Sequence, residues 1–459
     1  MFVLKFGGTS VQDAEAVRRL IEIVKTRQGK RLVVVSALAK VTDQLVEIGI
    51  LTQSGQSHKA IELSQALLER HLKMARELGL SEQLQSELKA EFQDLSLFIL
   101  ALESVGECTG RSRDRILAVG ELCSSRMVAD AFRVSDESSQ WLDSREVVKT
   151  EAEFTVAPVR FVETEQACLK IVPTLFKKVD VVVCGGFIAS TTLGGKSITT
   201  TLGRGGSDYS AAILGAALSA EKIEIWTDVD GILTTDPRMV PKARRLEALR
   251  FDEAAELAYF GAKVLHPATI YPAVKKKIPV WVLNSKNPTC SGTVITEETP
   301  ADSNVIKALA CKRKITLVNI HSTRMLGAAG FLKSVFESFA RHQVSIDLIS
   351  TSEVNVSLTL DPNTDNRRLE EVKAELEAIA QITIEHEMAS VAVVGHGIRE
   401  STGIGSRLFG ALKGIPVYMV SMGASDVNLS FVVKDAGVTQ VVERLHHEFF
   451  EKSFSNESN

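Results

Sequence analysis

From Met1 to about Glu297, short β-branched runs alternate with amphipathic stretches. Phe2–Phe6, Leu32–Ser36, Val179–Cys184, Lys222–Thr227 and Val280–Leu283 are dominated by apolar side chains. Runs of this kind read as strands covered on both faces, as in a parallel sheet. Helical stretches separate them, so this part of the chain predicts a βα-repeating, largely parallel sheet. Between about 59 and 105 the spacing changes. Leu63, Ala66, Leu67, His71 and Met74 recur three and four residues apart, the period of long amphipathic helices, and the stretch is read as a helical insertion with a packing role.

A different pattern follows the polar stretch Glu297 to Ser303. Thr351-Ser352-Glu353-Val354-Asn355-Val356-Ser357 realigns with Ala424-Ser425-Asp426-Val427-Asn428-Leu429-Ser430 at an offset of 73 residues, and Phe336 realigns with Phe409 in the helix before. Two consecutive β-α-β-β-like units are expected, a duplicated module rather than a solenoid. The expected boundaries are 1–297 for the βα domain, 298–314 for a linker, and 315–388 and 389–459 for the two units.

Composition narrows the function classes. The chain has 459 residues, 45% hydrophobic and 24% charged, with a formal net charge of −4. It carries no dense Lys/Arg tract interleaved with aromatics, so nucleic acid is not an expected partner. No apolar run approaches the ~18–20 residues that span a bilayer, and the glycine turn near the N-terminus leaves no room for a signal peptide. The cysteines at 108, 123, 168, 184, 290 and 311 lack CxxC spacing, which suits a reducing cytoplasm and offers no metal cage. His266, directly before Pro267, is read as structural.

Two segments carry phosphate-handling chemistry. Lys5-Phe6-Gly7-Gly8-Thr9-Ser10 ends the first strand in a glycine turn whose backbone can approach an anion, with Lys5 as a cation beside it. Thr199-Thr200-Thr201-Leu202-Gly203-Arg204-Gly205-Gly206-Ser207-Asp208 precedes a helical run, Tyr209 to Leu218, whose N-terminus favours negative charge. Neither is a P-loop or a dinucleotide fingerprint. Arg204 has the planar fork that reads a carboxylate with two hydrogen bonds. Glu121 lies in an apolar context where a carboxylate is costly without a cation; pairing with a substrate ammonium group and a place in a helix N-terminal turn both account for it. Asp208 suits orienting a phosphate-binding lysine or a metal shell.

Together with Trp226-Thr227-Asp228-Val229-Asp230-Gly231-Ile232-Leu233-Thr234-Thr235-Asp236-Pro237-Arg238, these segments resemble the amino-acid kinase family and, within it, the aspartate kinases. The resemblance covers nearly the whole chain, because the tandem C-terminal units look like ACT domains, ferredoxin-like βαββαβ folds. It implies ATP-dependent phosphorylation of the β-carboxylate of L-aspartate to 4-phospho-L-aspartate, the first step toward lysine, threonine and methionine. Lys5, Asp208 and Lys263 are then expected at the transferring phosphate. Gly7, Gly8, Thr227, Asp228, Leu233, Arg238 and Val264 are expected along the nucleotide, and Ser36, Thr42, Glu121, Arg204, Gly205 and Ser207 along the substrate. Leu233 departs from the tyrosine common in the family. Mg²⁺ is implied through the ATP phosphates rather than a protein cage.

The first ACT-like unit resembles that of lysine-sensitive members. An effector site is therefore expected from Met325, Ala328, Gly330, Phe331, Leu332, Ser345, Ile346, Asp347, Thr351, Ser352 and Glu353, with Ala328 replacing a common serine. L-Lysine is the expected inhibitor, acting on a homodimer, or a dimer of dimers, built through the ACT units. A monofunctional enzyme is expected, since no dehydrogenase domain follows. Sister kinases of glutamate, N-acetylglutamate or a nucleoside monophosphate are the competing activities, and an inactive amino-acid sensor is the competing class. Glu121 with Arg204 and the ACT pair argue against the former; an intact Lys5 and Gly203–Asp208 loop argue against the latter.

Overall fold

A computed structural model describes residues 1–261, 267–299, 305–327 and 329–452. The chain divides into two compact units. The first comprises Met1–Ile232, Glu247–Phe251 and Leu265–Thr299; the second comprises Leu233–Leu246, Asp252–Val264 and Pro300–Asn459. The division differs from a simple cut near residue 297, because two short pieces of the N-terminal sequence pack with the C-terminal half.

The first unit opens with β1 (Phe2–Phe6), α1 (Ala14–Lys25) and β2 (Arg31–Val35). Four helices follow: α2 (Val41–Gln53), α3 (Ser57–Glu77), α4 (Glu82–Val105) and α5 (Gly110–Val134). The expected insertion is thus the α3–α4 pair, whose buried Leu67, Leu72, Leu88, Phe92 and Ile99 join the main core. Next come β3 (Ser139–Leu142), α6 (Ser144–Val147), α7 (Phe161–Phe176), β4 (Val181–Gly185), β5 (Ile188–Leu193), β6 (Lys196–Thr201), α8 (Gly206–Ala217) and β7 (Lys222–Thr227). The remaining elements of this unit are β8 (Ala248–Arg250), α10 (Pro267–Lys275), β9 (Val280–Asn284) and β10 (Thr293–Thr296), while α9 (Phe251–Tyr259), between β8 and α10 in sequence, belongs from Asp252 onward to the second unit.

Eight strands form one sheet in the order β3-β4-β2-β1-β7-β9-β10-β8, parallel throughout except for the β9–β10 pair. Every residue of β2 and β4 is buried, as two-sided helical cover requires. The chain leaves β1 for β2 on one side, and β7 later pairs on the other. Such a switch of direction opens a crevice beyond the carboxyl ends of the central strands.

In the second unit lie β11 (Ile306–His321), α11 (Phe331–Arg341), β12 (Ile349–Thr351), β13 (Asn355–Leu360), α12 (Asn366–Leu376), β14 (Gln381–Gly395), α13 (Ile404–Ala411), β15 (Met419–Ser421), β16 (Asn428–Lys434) and α14 (Val438–His446). The repeat is visible: α11 and α13 start 73 residues apart, as do β13 and β16. Gly330 and Gly403 occupy the same place before their helices, at φ of 93° and 83°, a conformation that glycine adopts without strain.

The two repeats do not follow one another as separate sheets, however. One antiparallel sheet runs β12-β13-β11-β14-β16-β15. The C-terminal part of β11 pairs with β13, while its Ile306–Lys312 portion pairs with Ser390–Gly395 of β14. Residues 306–312, expected within a linker, are therefore strand, and they supply the second repeat with a strand that its own sequence lacks. An apolar run ending in Lys312-Arg313-Lys314 reads as a strand approach to a polar break, which hides the continuity; the register shifts there, between Lys312 and Ile315.

Because β11 and β14 pass through both repeats, the sheet should melt as one cooperative block. Leu309→Ala and Leu317→Ala truncate nearly or fully buried side chains in the two halves of β11, at a cost of about 2–5 kcal/mol each. In urea titrations followed by circular dichroism, both variants are expected to shift the same transition. Separate transitions, one moved by each variant, would contradict the shared sheet.

Candidate active site

Lys5 lies one residue from the end of β1, and its side chain turns into the crevice. Its Nζ is 2.6 Å from Asp208 Oδ1. No hydrogen bond is aligned at that oxygen, so the contact is chiefly electrostatic. Asp208 sits in the first turn of α8, where the helix dipole favours an acid. The helix starts earlier than its apolar run suggests, at Gly206, because Gly205 supplies a left-handed cap at φ 71°.

A cavity of about 430 Å³ opens at this point, lined by Lys5, Ser36, Thr42, Val46, Leu117, Glu121, Thr155, Phe187 and Gly203–Asp208. It gathers residues from six separate parts of the sequence. Ser36 follows β2, and its N–H donates to Phe6 O at 3.1 Å, setting the ends of β1 and β2 level. Thr42 stands in the first turn of α2. Gly186, after β4, allows the loop to close: a Cβ there would lie 2.7 Å from Ser207 Cα.

Glu121 is in the middle of α5, not in an N-terminal turn. It is 3% exposed, one oxygen accepts from the Ala37 N–H at 3.1 Å, and the other has no partner. Burial pushes its carboxyl up to about 8, against the pull of that N–H and of the Lys5 charge. A cationic ligand group would complete it.

Asp114, two helical turns earlier, is fully buried. It accepts from the N–H and hydroxyl of Thr201 and from the Thr155 N–H. Burial raises its carboxyl, and those bonds oppose the rise. Neither Asp114 nor the cavity walls Thr155 and Phe187 stood out in the sequence.

The glycine turn is less open than expected. Gly7 N–H is already given to Trp226 O, and Gly8 packs its Cα face against Ala37 O, where a Cβ would come within 3.1 Å. Thr227 ends β7 and Asp228 follows it, beside this turn; Thr227 O accepts from the Ser285 N–H and hydroxyl. Leu233 and Arg238 belong to the second unit, and Arg238 is engaged by Asp236 through one guanidinium edge, Nε and Nη2. Lys263 and Val264 lie outside the described residues. No group of three or more potential metal ligands occurs among the described residues.

Ala328, of the expected effector residues, also lies outside the described residues. Met325, Phe331 and Leu332 pack against the core of the first repeat, and Ser345, Thr351, Ser352 and Glu353 are exposed. Asp347 is already engaged: Lys312 Nζ lies 2.6 Å from one oxygen, and Tyr259 donates to the other at 3.1 Å. Its partners are remote in sequence, so no local pattern announced them.

Residues 1–284 match the profile of the Amino acid kinase family, and 391–449 match an ACT domain. Over 459 aligned residues the chain is 39% identical to lysine-sensitive aspartokinase 3 of Escherichia coli K12, covering 98% of this chain and 99% of that protein. The chain belongs to the aspartokinases of the amino acid kinase family. A plant member, chloroplastic aspartokinase 2 of Arabidopsis thaliana, is 36% identical over 98% of this chain and 84% of its own. The crystal structure of E. coli aspartokinase III in complex with aspartate and ADP, an R state, matches with a TM-score of 0.84 at 38% identity, covering 98% of this chain and 100% of that one. Its T-state complex with lysine and aspartate matches at 0.80 and 37%, covering 98% and 99%. This aspartokinase chain has no described helix long and apolar enough to cross a membrane.

The Glu121 carboxyl gives a pH signature. Its folded value, about 8, lies above the ordinary value of a glutamate carboxyl, so the folded state holds the proton more tightly. Its contribution is favourable at low pH and is lost as pH rises from about 4.5 to about 8, by up to about 1.4 kcal/mol per pH unit. In urea titrations without ligand across that window, the difference between wild type and Glu121→Gln should grow in favour of the variant with pH. A pH-independent difference would exclude the raised carboxyl.

Proposed function

We propose that this aspartokinase binds L-aspartate in the first-unit cavity and transfers the γ-phosphoryl group of ATP to its β-carboxylate, giving ADP and 4-phospho-L-aspartate. The observation that carries the reading is the convergence of Lys5, Arg204 and the half-satisfied carboxyl of Glu121 around one crevice at the N-terminus of α8. Phosphoryl transfer between two anions asks mainly for positioning and charge neutralisation. Arg204 reads a substrate carboxylate, Glu121 takes the α-ammonium group, and Ser36, Thr42, Gly205 and Ser207 complete the substrate side. Lys5, held by Asp208, meets the charge that develops on the transferring phosphoryl group. The substrate carboxylate is already ionised, so Asp208 serves as an orienting partner rather than a base.

Gly7, Gly8, Thr227, Asp228, Leu233, Arg238, Lys263 and Val264 are assigned to the nucleotide. Arg238 must release Asp236 to take part. Mg²⁺ bound through the ATP phosphates supplies further neutralisation. The second unit is assigned to regulation by L-lysine, as the similarity to lysine-sensitive aspartokinase 3 supports. A ligand ammonium at Asp347 has to share the carboxylate with Lys312. We further assign a cytoplasmic location and a homodimer, or a dimer of dimers, through the ACT units.

With MgATP, L-aspartate should release ADP and yield a hydroxamate with hydroxylamine, whereas L-glutamate, whose extra methylene misplaces the carboxylate, should be about 10²-fold poorer. Arg204→Ala removes up to two hydrogen bonds to a charged group, so kcat/KM for aspartate should fall by about 10²–10⁴ while nucleotide affinity holds. Equal turnover of glutamate would refute the substrate assignment.

For the regulatory site, calorimetry should register L-lysine binding that disappears in Asp347→Ala. Affinity should be weaker than in relatives with serine at position 328, by the about 0.5–1.5 kcal/mol of one hydrogen bond. Threonine binding in place of lysine would reassign the effector.

A further inference from the structure

We infer that Asp114 is a positioning residue for aspartate recognition, acting through the loop that presents Arg204; the inference rests on the substrate reading above. Arg204 is exposed and has no ion pair among the described residues, so the backbone that carries it decides where its guanidinium stands. That backbone is a tight turn with Gly203 and Gly205 at φ of 74° and 71°, closed by the Gly206 N–H to Gly203 O. It hangs directly from Thr201, the last residue of β6.

Asp114 fixes this attachment from below. Its Oδ2 accepts from the Thr201 N–H at 3.0 Å, and its Oδ1 accepts from the Thr201 hydroxyl at 2.7 Å. The Thr155 N–H, 3.0 Å from both oxygens, is held by the same carboxylate. Thr155 lines the cavity and adopts φ 75°, unusual for a β-branched residue and sustained only where its surroundings hold it. The two segments are also joined directly, Ala157 N–H to Thr201 O at 2.9 Å, and Gly203 is packed so closely that a Cβ would lie 2.9 Å from Val156 Cγ2.

A carboxylate suits this place because every group facing it on these two segments is a donor. An amide would present its own N–H groups to them. Asp114 and Glu121 lie seven residues apart on α5, on one face. One helix therefore both carries the carboxylate for the substrate ammonium and braces the loop for the substrate carboxylate. Lys5 and Asp208 are held separately, by β1 and α8, so the effect should fall on aspartate rather than ATP.

The test compares Asp114→Asn, Thr201→Val and Thr201→Ser in the full chain, alone and with Arg204→Ala. Wild type must first turn over aspartate; if it does not, the substrate reading fails and this inference with it. Asp114→Asn is expected to raise KM for aspartate about tenfold or more, and Thr201→Val about three- to tenfold, as loss of hydrogen bonds to a charged group implies. KM for ATP should stay within twofold, and Thr201→Ser, which keeps the hydroxyl, should behave as wild type. On an Arg204→Ala background Thr201→Val should add little, because its effect passes through the missing side chain. If Asp114→Asn does not fold, the Thr201 series decides alone. Unchanged aspartate KM in Thr201→Val, equal rises in both KM values, or full additivity with Arg204→Ala would overturn the inference.

Discussion

The first unit is organised around one buried cation. Lys5 is 8% exposed, at the end of a central strand, and a charge in that position is costly unless it is paired. Asp208 meets the need at 2.6 Å. The pairing joins the first strand of the chain to a helix that begins about two hundred residues later. It points the N-terminus of α8 at the ends of β1 and β2. The same arrangement leaves a positive group, a helix dipole and a glycine-rich loop facing one crevice, which is what a transferring phosphoryl group requires.

Polar groups on the substrate side follow the same economy. Glu121 is buried with one oxygen satisfied and one free, so its ionisation is poised to respond to a cationic ligand. Asp114, on the same helix, is satisfied by backbone and hydroxyl donors without a cation. Two buried carboxylates on one helix thus differ: one has an oxygen without a partner, and the other is satisfied by the loops around it. In the second unit, Asp347 combines these situations, since Lys312 and Tyr259 already hold the carboxylate that an effector would seek.

Much of this was legible in the sequence because the signals are local. The strands Phe2–Phe6 and Lys222–Thr227 have the predicted ends, since continuous apolar runs between turns leave little choice. The cavity gathers Lys5, Ser36, Thr42, Glu121, Arg204 and Asp208, all carried by recognisable segments. What escaped depends on contacts between distant residues. The β11 strand crosses a lysine-arginine break and pairs with two partners, Asp114 looks like one acid on a polar helix start, and Lys312 finds Asp347 only after the sheet forms. Thr155 has a backbone conformation that its residue type argues against, so no propensity reveals it.

We propose that the charge of Lys5 acts on the transition state rather than on substrate binding. Steady-state kinetics of Lys5→Met at saturating MgATP test it directly. A fall in kcat of about 10³-fold or more is expected, with the aspartate KM changed only a fewfold, as for loss of a preorganised electrostatic contact. A variant with near-normal kcat would contradict it, and so would one whose defect lies entirely in the aspartate KM.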